Sequence, residues 1–427
     1  MALARAYAVG LVGLDGHVVE VEADLAQGLP GLTVIGLPDA SLAEARDRVK
    51  SAVVNSGQAW PQKRITLALS PAALPKRGSG FDLALAAAVL AAARALPADA
   101  LQGRVLLGEL GLNGRVRPIP GVLPAVLTAA KAGIERVVVP LENLAEARLV
   151  REVQVRGVGS LRDLIRLLTG EPYVEVEPVL VLPEPGGPGP DMLDVAGQVV
   201  GRTAVEVAAA GGHHALLLGP PGSGKTMLAE RMPGLLPELD HDAALEVTAV
   251  HSVASALPRD QPLVTRPPFQ APHHTATIAS IVGGGAGIAR PGAASLAHRG
   301  VLFLDEAPEF SPRALDALRQ PLESGRLSIT RVGGTATYPA CFTLLLAANY
   351  CPCAKPEDCS CPPDTRRRYL SRLSGPLLDR VDMHVEVPRI TRAEMLAEDG
   401  RGEPSADIAA RVAAARDAAA LRFAGTP

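Results

Sequence analysis

Aromatic residues are scarce in this 427-residue chain: one Trp, five Tyr and six Phe make up 3% of it. A broad base-stacking surface of Phe and Tyr is therefore excluded as the main mode of nucleic-acid contact. No apolar run is long enough to span a bilayer. The N-terminus, Met1 to Gly10, lacks the long apolar core and cleavage site of a secretory leader. Excess charge of one sign is also missing, since 42 Lys and Arg against 45 Asp and Glu leave a net charge of −3. That argues against a chain that is basic throughout, but it leaves room for a local basic patch or pore loop. These absences predict a soluble cytoplasmic protein with no membrane partner. Its length predicts two or three domains, with alanine-rich helices carrying much of the core.

What is present centres on one stretch, Gly219-Pro220-Pro221-Gly222-Ser223-Gly224-Lys225-Thr226. Ala215 to Leu218 before it reads as a buried strand, and Met227 to Arg231 after it as the start of a helix. In that context the glycines let successive backbone N–H groups turn inward around a phosphate, and the helix N-terminus adds its dipole. Lys225 would reach the β- and γ-phosphates and the Thr226 hydroxyl would ligate Mg²⁺. A chance Gly/Pro turn before a helix is the competing reading, and the full set of fixed positions argues against it. The expectation is a site for ATP with Mg²⁺.

Around this motif the chain separates into segments. Residues 1–170 read as a mixed α/β unit, with short strands at Val18–Glu22, Leu32–Ile35, Ile65–Leu69 and Arg136–Pro140. Helices are expected at Leu42–Ser56, Leu83–Ala93 and Leu161–Leu168. Residues 171–190 shift to Pro and Gly and read as a linker. Residues 191–388 alternate helix and strand as a parallel sheet requires, and 389–427 are helical in pattern before stopping. No internal repeats are visible.

Val301-Leu-Phe-Leu-Asp305-Glu306 is an apolar run ending in two carboxylates. A buried strand delivers such acids to the end of a parallel sheet where ligands bind. Asp305 would hold the Mg²⁺ shell and Glu306 would polarise the attacking water, unless the pair only caps the next helix. A further strand, Phe342 to Ala348, ends in Asn349, whose amide can orient that water or simply make a turn. Arg380 precedes the apolar strand Met383–Val387 and is a candidate to reach a neighbouring subunit's γ-phosphate; a local salt bridge to Asp379 or Asp382 is the alternative.

Four of the five cysteines fall within eleven residues, as Cys351-Pro-Cys353 and Cys359-Ser-Cys361. Two such pairs can supply four thiolates to one tetrahedral Zn²⁺, with free thiols or a redox switch as alternatives. Cys341, at the start of the strand that ends in Asn349, is expected to be a small core residue.

The order of P-loop, Leu-Asp-Glu, strand-end Asn and Leu-Leu-Asp-Arg resembles an AAA+ ATPase. Asp194-Val-Ala-Gly-Gln198, Ala271-Pro-His-His-Thr275, Gly300 to Glu306 and Arg368 to Arg380 resemble the magnesium-chelatase-like ComM/YifB family, and the likeness extends through the first segment. It implies Walker A, Walker B, sensor-1 and arginine-finger roles for Lys225, Thr226, Asp305, Glu306, Asn349 and Arg380. It also implies hexameric rings of identical subunits and, as in ComM, ATP-driven branch migration of branched or single-stranded DNA during natural transformation. Two candidate DNA contacts follow from it. One is the insert Phe269 to Leu296, with Arg290; the other is the hairpin-like Gly325 to Thr335, with Arg326 and Arg331 and a Gly333-Gly334 turn, which a solvated hairpin would equally explain. The adjacent His273 and His274 are expected to be structural or inter-subunit rather than metal ligands.

The first segment resembles a Lon-protease-like (ribosomal S5 domain 2-like) fold through Lys76 to Asp82 and Gly108 to Gly121. Ser79 stands near the place of the serine of a Ser–Lys protease, but after Gly121 no lysine follows until Lys131, so a degenerate, non-proteolytic domain is implied. The implied layout is this Lon-like α/β domain followed by an AAA+ P-loop α/β domain whose helical lid is truncated, with the further arginine of the sensor-2 position not reached. A helicase acting on recombination intermediates is the implied activity. A chelatase-type ATPase subunit that remodels a metal-inserting partner, and a Lon-like ATP-dependent protease, are the alternatives.

Overall fold

A computed structural model describes residues 2–36, 40–72, 74, 76, 78–97, 99–175, 189–258, 261–285, 289–331, 334–355, 359–391 and 402–424. Most of the expected linker, Gly287 of the insert, Gly333 of the hairpin turn and the first part of the expected lid lie outside these described residues. The chain divides into two compact units. The first comprises Met1–Leu182, Thr248–Leu263 and Thr330–Ala336; the second comprises Pro183–Val247, Val264–Ile329 and Thr337–Pro427.

The first unit is built on a seven-stranded mixed sheet. Its spatial order is Gly31–Ile35, Arg64–Ser70, Asp15–Ala26, Ala2–Val12, Arg104–Leu106, Arg136–Pro140 and Gln154–Val158. The two longest strands, Ala2–Val12 and Asp15–Ala26, form an antiparallel hairpin in which Val12 pairs with Asp15, and Gly13 takes a positive φ of 69° in the turn. Sequence reading passes over the first of these strands, because Ala, Gly and Arg dilute its alternation. Ala6 and Ala8 nevertheless face inward with Val19, Val21 and Ala23, all fully buried. Against them packs the helix Asp82–Ala92, in which every residue is buried. Its six alanines allow close approach to the sheet, and its Leu and Val side chains fill the space between.

Asp82 is the polar exception in that helix. Its side chain is fully buried at the first helical position, where the helix dipole favours an anion. It accepts from Arg48 Nε at 2.8 Å and Nη2 at 3.2 Å, and from the Leu110 N–H at 3.2 Å. Burial pushes the carboxyl above its ordinary range, and Arg48 and the Leu110 amide pull it back. The helix Ala40–Asn55, the helix Asp82–Ala92 and the short strand Glu109–Leu110 are thereby tied at one point.

The second unit is a five-stranded, wholly parallel sheet in the order Phe269–Gln270, Val301–Leu304, Thr343–Ala348, Ala215–Leu218 and Met383–Glu386. Its central strands are continuous apolar runs because helices cover both faces. Successive residues point to opposite sides, so Leu216, Leu302, Leu304, Leu344 and Leu346 enter one core cluster. Ala215, Leu217, Val301, Phe303, Leu345 and Ala347 enter the other. The helix Ser405–Phe423 lies against the helix Val199–Gly211: Ile408 and Val412 are buried, Arg411 pairs with Glu206, and Arg416 Nε donates to the Ala209 carbonyl at 2.8 Å.

Two small hairpins project from the sheet connections. Gly283–Gly284 pairs with Arg290–Pro291, and Arg326–Arg331 with Gly334–Pro339. They are joined by Tyr338, a fully buried side chain whose hydroxyl donates to the Ala289 carbonyl at 2.6 Å. Burial pushes that hydroxyl up to about 12, so it stays a donor across the working pH range. Gly283 sits where an added Cβ would meet Ile329 Cδ1 at 2.6 Å, a second close contact between the hairpins.

Asp82→Ala removes one partner of a buried charge pair and should destabilise the first unit by about 3 kcal/mol. Urea titration followed by far-ultraviolet circular dichroism tests this; a loss below about 1 kcal/mol, within the range of an exposed pair, would show the pair to be dispensable.

Candidate nucleotide site

Parallel register builds this site. Leu218 pairs with Ala348, and Leu304 pairs with Leu346, so three strands end at one edge of the sheet. Gly219, Asn349 and Asp305 follow those ends. Gly219 also lies so close to the neighbouring strand's exit that an added Cβ would sit 2.1 Å from the Val387 carbonyl oxygen. Gly222 and Gly224 take positive φ values of 74° and 91°, turning the loop into the helix Lys225–Arg231.

Lys225 is largely buried, and its ammonium donates to the Gly219 carbonyl at 2.8 Å, the Pro220 carbonyl at 2.9 Å and Asn349 Oδ1 at 3.2 Å. Burial pushes the ammonium below its ordinary range, while Asp305 and Glu306 hold it up. Thr226 Oγ1 donates to Asp305 Oδ2 at 2.7 Å. A hydroxyl and a carboxylate at that separation are hard oxygen donors that suit Mg²⁺. The other Asp305 oxygen accepts the Glu306 N–H at 2.9 Å. Glu306 itself holds a left-handed backbone, φ 51°, which an acidic side chain adopts only at some cost.

Two partners of this cluster escape sequence reading. Gln198, also left-handed at φ 48°, donates from Nε2 to the Ser223 carbonyl at 2.7 Å and the Pro388 carbonyl at 2.5 Å. It clamps the loop from outside. Its family motif Asp194 to Gln198 was a signal of position, but nothing in it announces this contact. His274 Nδ1 lies 3.3 Å from Glu306 Oε2 and its ring sits tilted against that of His273, centroids 4.1 Å apart, so the expectation of a structural or inter-subunit role misses its contact with the acid. Beside the loop a cavity of about 380 Å³ is lined by Val195, Gln198, Met227, Arg389, Ile390 and Ser223, among others. A larger cavity of about 500 Å³ opens at the opposite edge of the sheet, near His214, Gly300 and Thr343, away from the phosphate loop.

The remaining candidates fall elsewhere. Arg380, the candidate to reach a neighbouring subunit, bonds to the Pro376 carbonyl at 3.1 Å and pairs with Glu323, and not with Asp379 or Asp382 as the alternative of a local bridge had it. Tyr369 is buried, hydrogen-bonds with the Asn349 backbone, and is pushed up to about 12, first by burial and then by Glu309 and Glu306. Arg372 donates to the Pro308 carbonyl at 3.0 Å and to Glu309 at 3.1 Å. The sulfurs of Cys351, Cys353, Cys359 and Cys361 all lie within 4.8 Å of one another. Cys341, expected in the core, is exposed: it precedes the first buried residue of its strand, and its Sγ faces the Gly325 carbonyl.

Arg290, Arg326 and Arg331 are exposed on the two hairpins. On the outer face of the second, Ser328 bonds Thr337 at 3.0 Å and Thr330 bonds Thr335 at 3.0 Å, a hydroxyl ladder beside Arg326. In the first unit Ser79 donates to Glu109, and the buried Lys76 ammonium donates to the Pro71 carbonyl. Neither group is engaged as a Ser–Lys pair requires.

Comparison with known proteins adds family information to this geometry. The family model for magnesium chelatase, subunit ChlI, matches residues 191–395, and that for subunit ChlI of Mg-chelatase matches residues 21–143. An uncharacterized protein of Mycobacterium tuberculosis is 56% identical over 427 residues, 99% of this chain and 84% of the relative. YifB of Escherichia coli is 42% identical over 425 residues, and competence protein ComM of Haemophilus influenzae 41% over 423, each covering 98% of this chain and 82% of the relative. A Lon protease of Mycolicibacterium smegmatis is 30% identical over 170 residues, 37% of this chain and 21% of the relative. The fold is accordingly a Lon-like α/β domain joined to an AAA+ P-loop domain.

Gln198→Ala deletes two hydrogen bonds to the loop's surroundings, each worth about 1 kcal/mol. ATP-analogue affinity, read by fluorescence titration, should fall about tenfold with unchanged circular dichroism. Unaltered affinity would remove Gln198 from the site.

Proposed function

The chain belongs to the ComM/YifB family of magnesium-chelatase-like AAA+ ATPases, and on that footing we propose that it is an ATP-hydrolysing DNA motor, a ring-forming branch-migration helicase of the cytoplasm. The observation that carries this reading is the convergence of Lys225, Thr226, Asp305, Glu306 and Asn349 on three neighbouring strand ends, with two arginine-bearing hairpins in the same chain. The competence named for the Haemophilus relative supports recombination intermediates of natural transformation as the substrate.

In this reading the loop amides and Lys225 bind the β- and γ-phosphates, a phosphate oxygen replacing the Asn349 amide oxygen on the ammonium. Thr226 and Asp305 are the residues that would hold Mg²⁺, which would supply neutralisation of the charge developing on the departing ADP. Glu306 takes the proton of the attacking water, and Asn349, freed from Lys225, orients that water against the γ-phosphate. His274 holds the Glu306 carboxylate until substrate draws it away. Arg380 of one subunit reaches the γ-phosphate bound by its neighbour, exchanging Glu323 for the transition-state charge. A ring, hexameric as the family resemblance implies, follows from a site completed in this way. Arg290, Arg326 and Arg331, with the hydroxyl ladder, contact the DNA backbone without reading bases. Scarce aromatics fit that mode.

A second reading, an ATPase subunit that remodels a metal-inserting partner, is favoured by the chelatase family models. A protease is disfavoured by the partners of Ser79 and Lys76.

Glu306→Gln should keep ATP binding while kcat falls by about 10²–10⁴; unchanged turnover would remove Glu306 from the role of base. ATPase rate with and without a labelled four-way junction separates the two readings. Stimulated hydrolysis with junction movement supports the motor, and the absence of both effects overturns it. Arg326→Ala and Arg331→Ala should each weaken DNA binding uniformly across sequences and reduce the salt slope by about one.

A further inference from the structure

The four clustered thiols take no part in the nucleotide chemistry, yet they occupy a constrained place in the chain. Cys351 stands two residues after Asn349, and one residue separates Cys361 from the helix Pro363–Leu370. That helix returns Tyr369 to the Asn349 backbone. Soon after it, Arg372 bonds Pro308 and Glu309, near the acidic strand end. The cysteine segment is thus a loop whose two ends already meet at Asn349.

Its local geometry is that of a metal knuckle. Cys351 is buried, and its carbonyl accepts the Ala354 N–H at 3.2 Å across a tight turn. Ala354 takes φ 54°, a left-handed position that a residue with a Cβ adopts only at some cost. The turn brings Cys351 Sγ and Cys353 Sγ to 3.4 Å, and Cys353 Sγ and Cys359 Sγ to 3.5 Å. A tetrahedral Zn²⁺ with Zn–S bonds of about 2.3 Å needs sulfur–sulfur edges of about 3.8 Å. The observed spacings, all within 4.8 Å, straddle that value, while the thiols are free rather than disulfide-bonded. Arg366, whose guanidinium donates to the Cys359 carbonyl at 3.3 Å, brings a positive charge toward a centre that four thiolates would make dianionic.

We propose that Cys351, Cys353, Cys359 and Cys361 bind one structural Zn²⁺ that pins the segment between Asn349 and the helix bearing Tyr369. A closed four-thiolate shell leaves no position for substrate or water, so the ion is a clip and not a catalyst. Soft ligands in this geometry also suit an iron–sulfur centre, which differs in colour and in metal content.

The test uses the full chain purified without chelators. Metal analysis should find one zinc per chain, released by an organomercurial thiol reagent and detected with a chromophoric chelator. Replacement by Co²⁺ should give the visible absorption bands of a tetrahedral thiolate site. Cys353→Ser and Cys361→Ser should lose the metal, and Cys341→Ser should keep it. Trypsin should spare Arg366, whose guanidinium holds the Cys359 carbonyl, in the zinc form and cut there once zinc is removed, a readout independent of ATP turnover. Iron in place of zinc, an absence of bound metal, disulfides among the four cysteines of freshly purified protein, or metal retained by the serine variants would overturn the site. Identical proteolysis with and without zinc would overturn the clip.

Discussion

The parallel hydrogen-bond register between Ala215–Leu218, Thr343–Ala348 and Val301–Leu304 is the constraint on which the candidate site rests. Strands so paired end within two residues of one another at the same edge. The residues that follow them are then presented side by side without any long loop having to find its place. Thr226 can reach Asp305 across the width of the intervening strand because Leu218 ends level with Ala348 on one side and Leu304 ends only two residues short of it, beside Leu346, on the other. The register is held in turn by burial on both faces. A slip of one residue would exchange Leu302 and Leu304 with Val301 and Phe303 between two cores of different shape.

Short apolar runs with an uninterrupted character told the sequence reader where the second unit's strands lie, and the punctuation of the phosphate loop told which end of the sheet matters. The side-by-side order of those strands was not legible, because spatial adjacency is decided by crossover connections and not by local pattern. Gln198 and His274 escaped for a related reason. A polar side chain acting on the carbonyl or carboxylate of a residue far along the chain leaves no periodic trace. Cys341 has an apolar neighbourhood in sequence without being buried, because the strand's first buried residues begin just after it. The long first strand of the other unit was missed since small residues buried against an alanine-rich helix carry little hydrophobic contrast.

Left-handed backbone at non-glycine residues marks the chemistry more sharply than composition does. Among the described residues six such positions occur, and Gln198, Glu306 and Ala354 fall respectively at the phosphate loop, the acidic pair and the cysteine knuckle. Each is a place where the chain accepts a local cost so that a side chain or carbonyl points where a regular strand or helix would not send it. The buried Asp82 shows a different solution in the other unit. There the cost of an interior charge is offset by one guanidinium and one amide.

Tyr338 gives the two hairpins a shared mechanical fate. Because its hydroxyl reaches the Ala289 carbonyl from within a closely packed contact, neither arm can tilt alone without stripping a buried polar pair. The same contact carries a steric limit, since Gly283 of one arm and Ile329 of the other stand so close that a methyl group added to the first would strike the second.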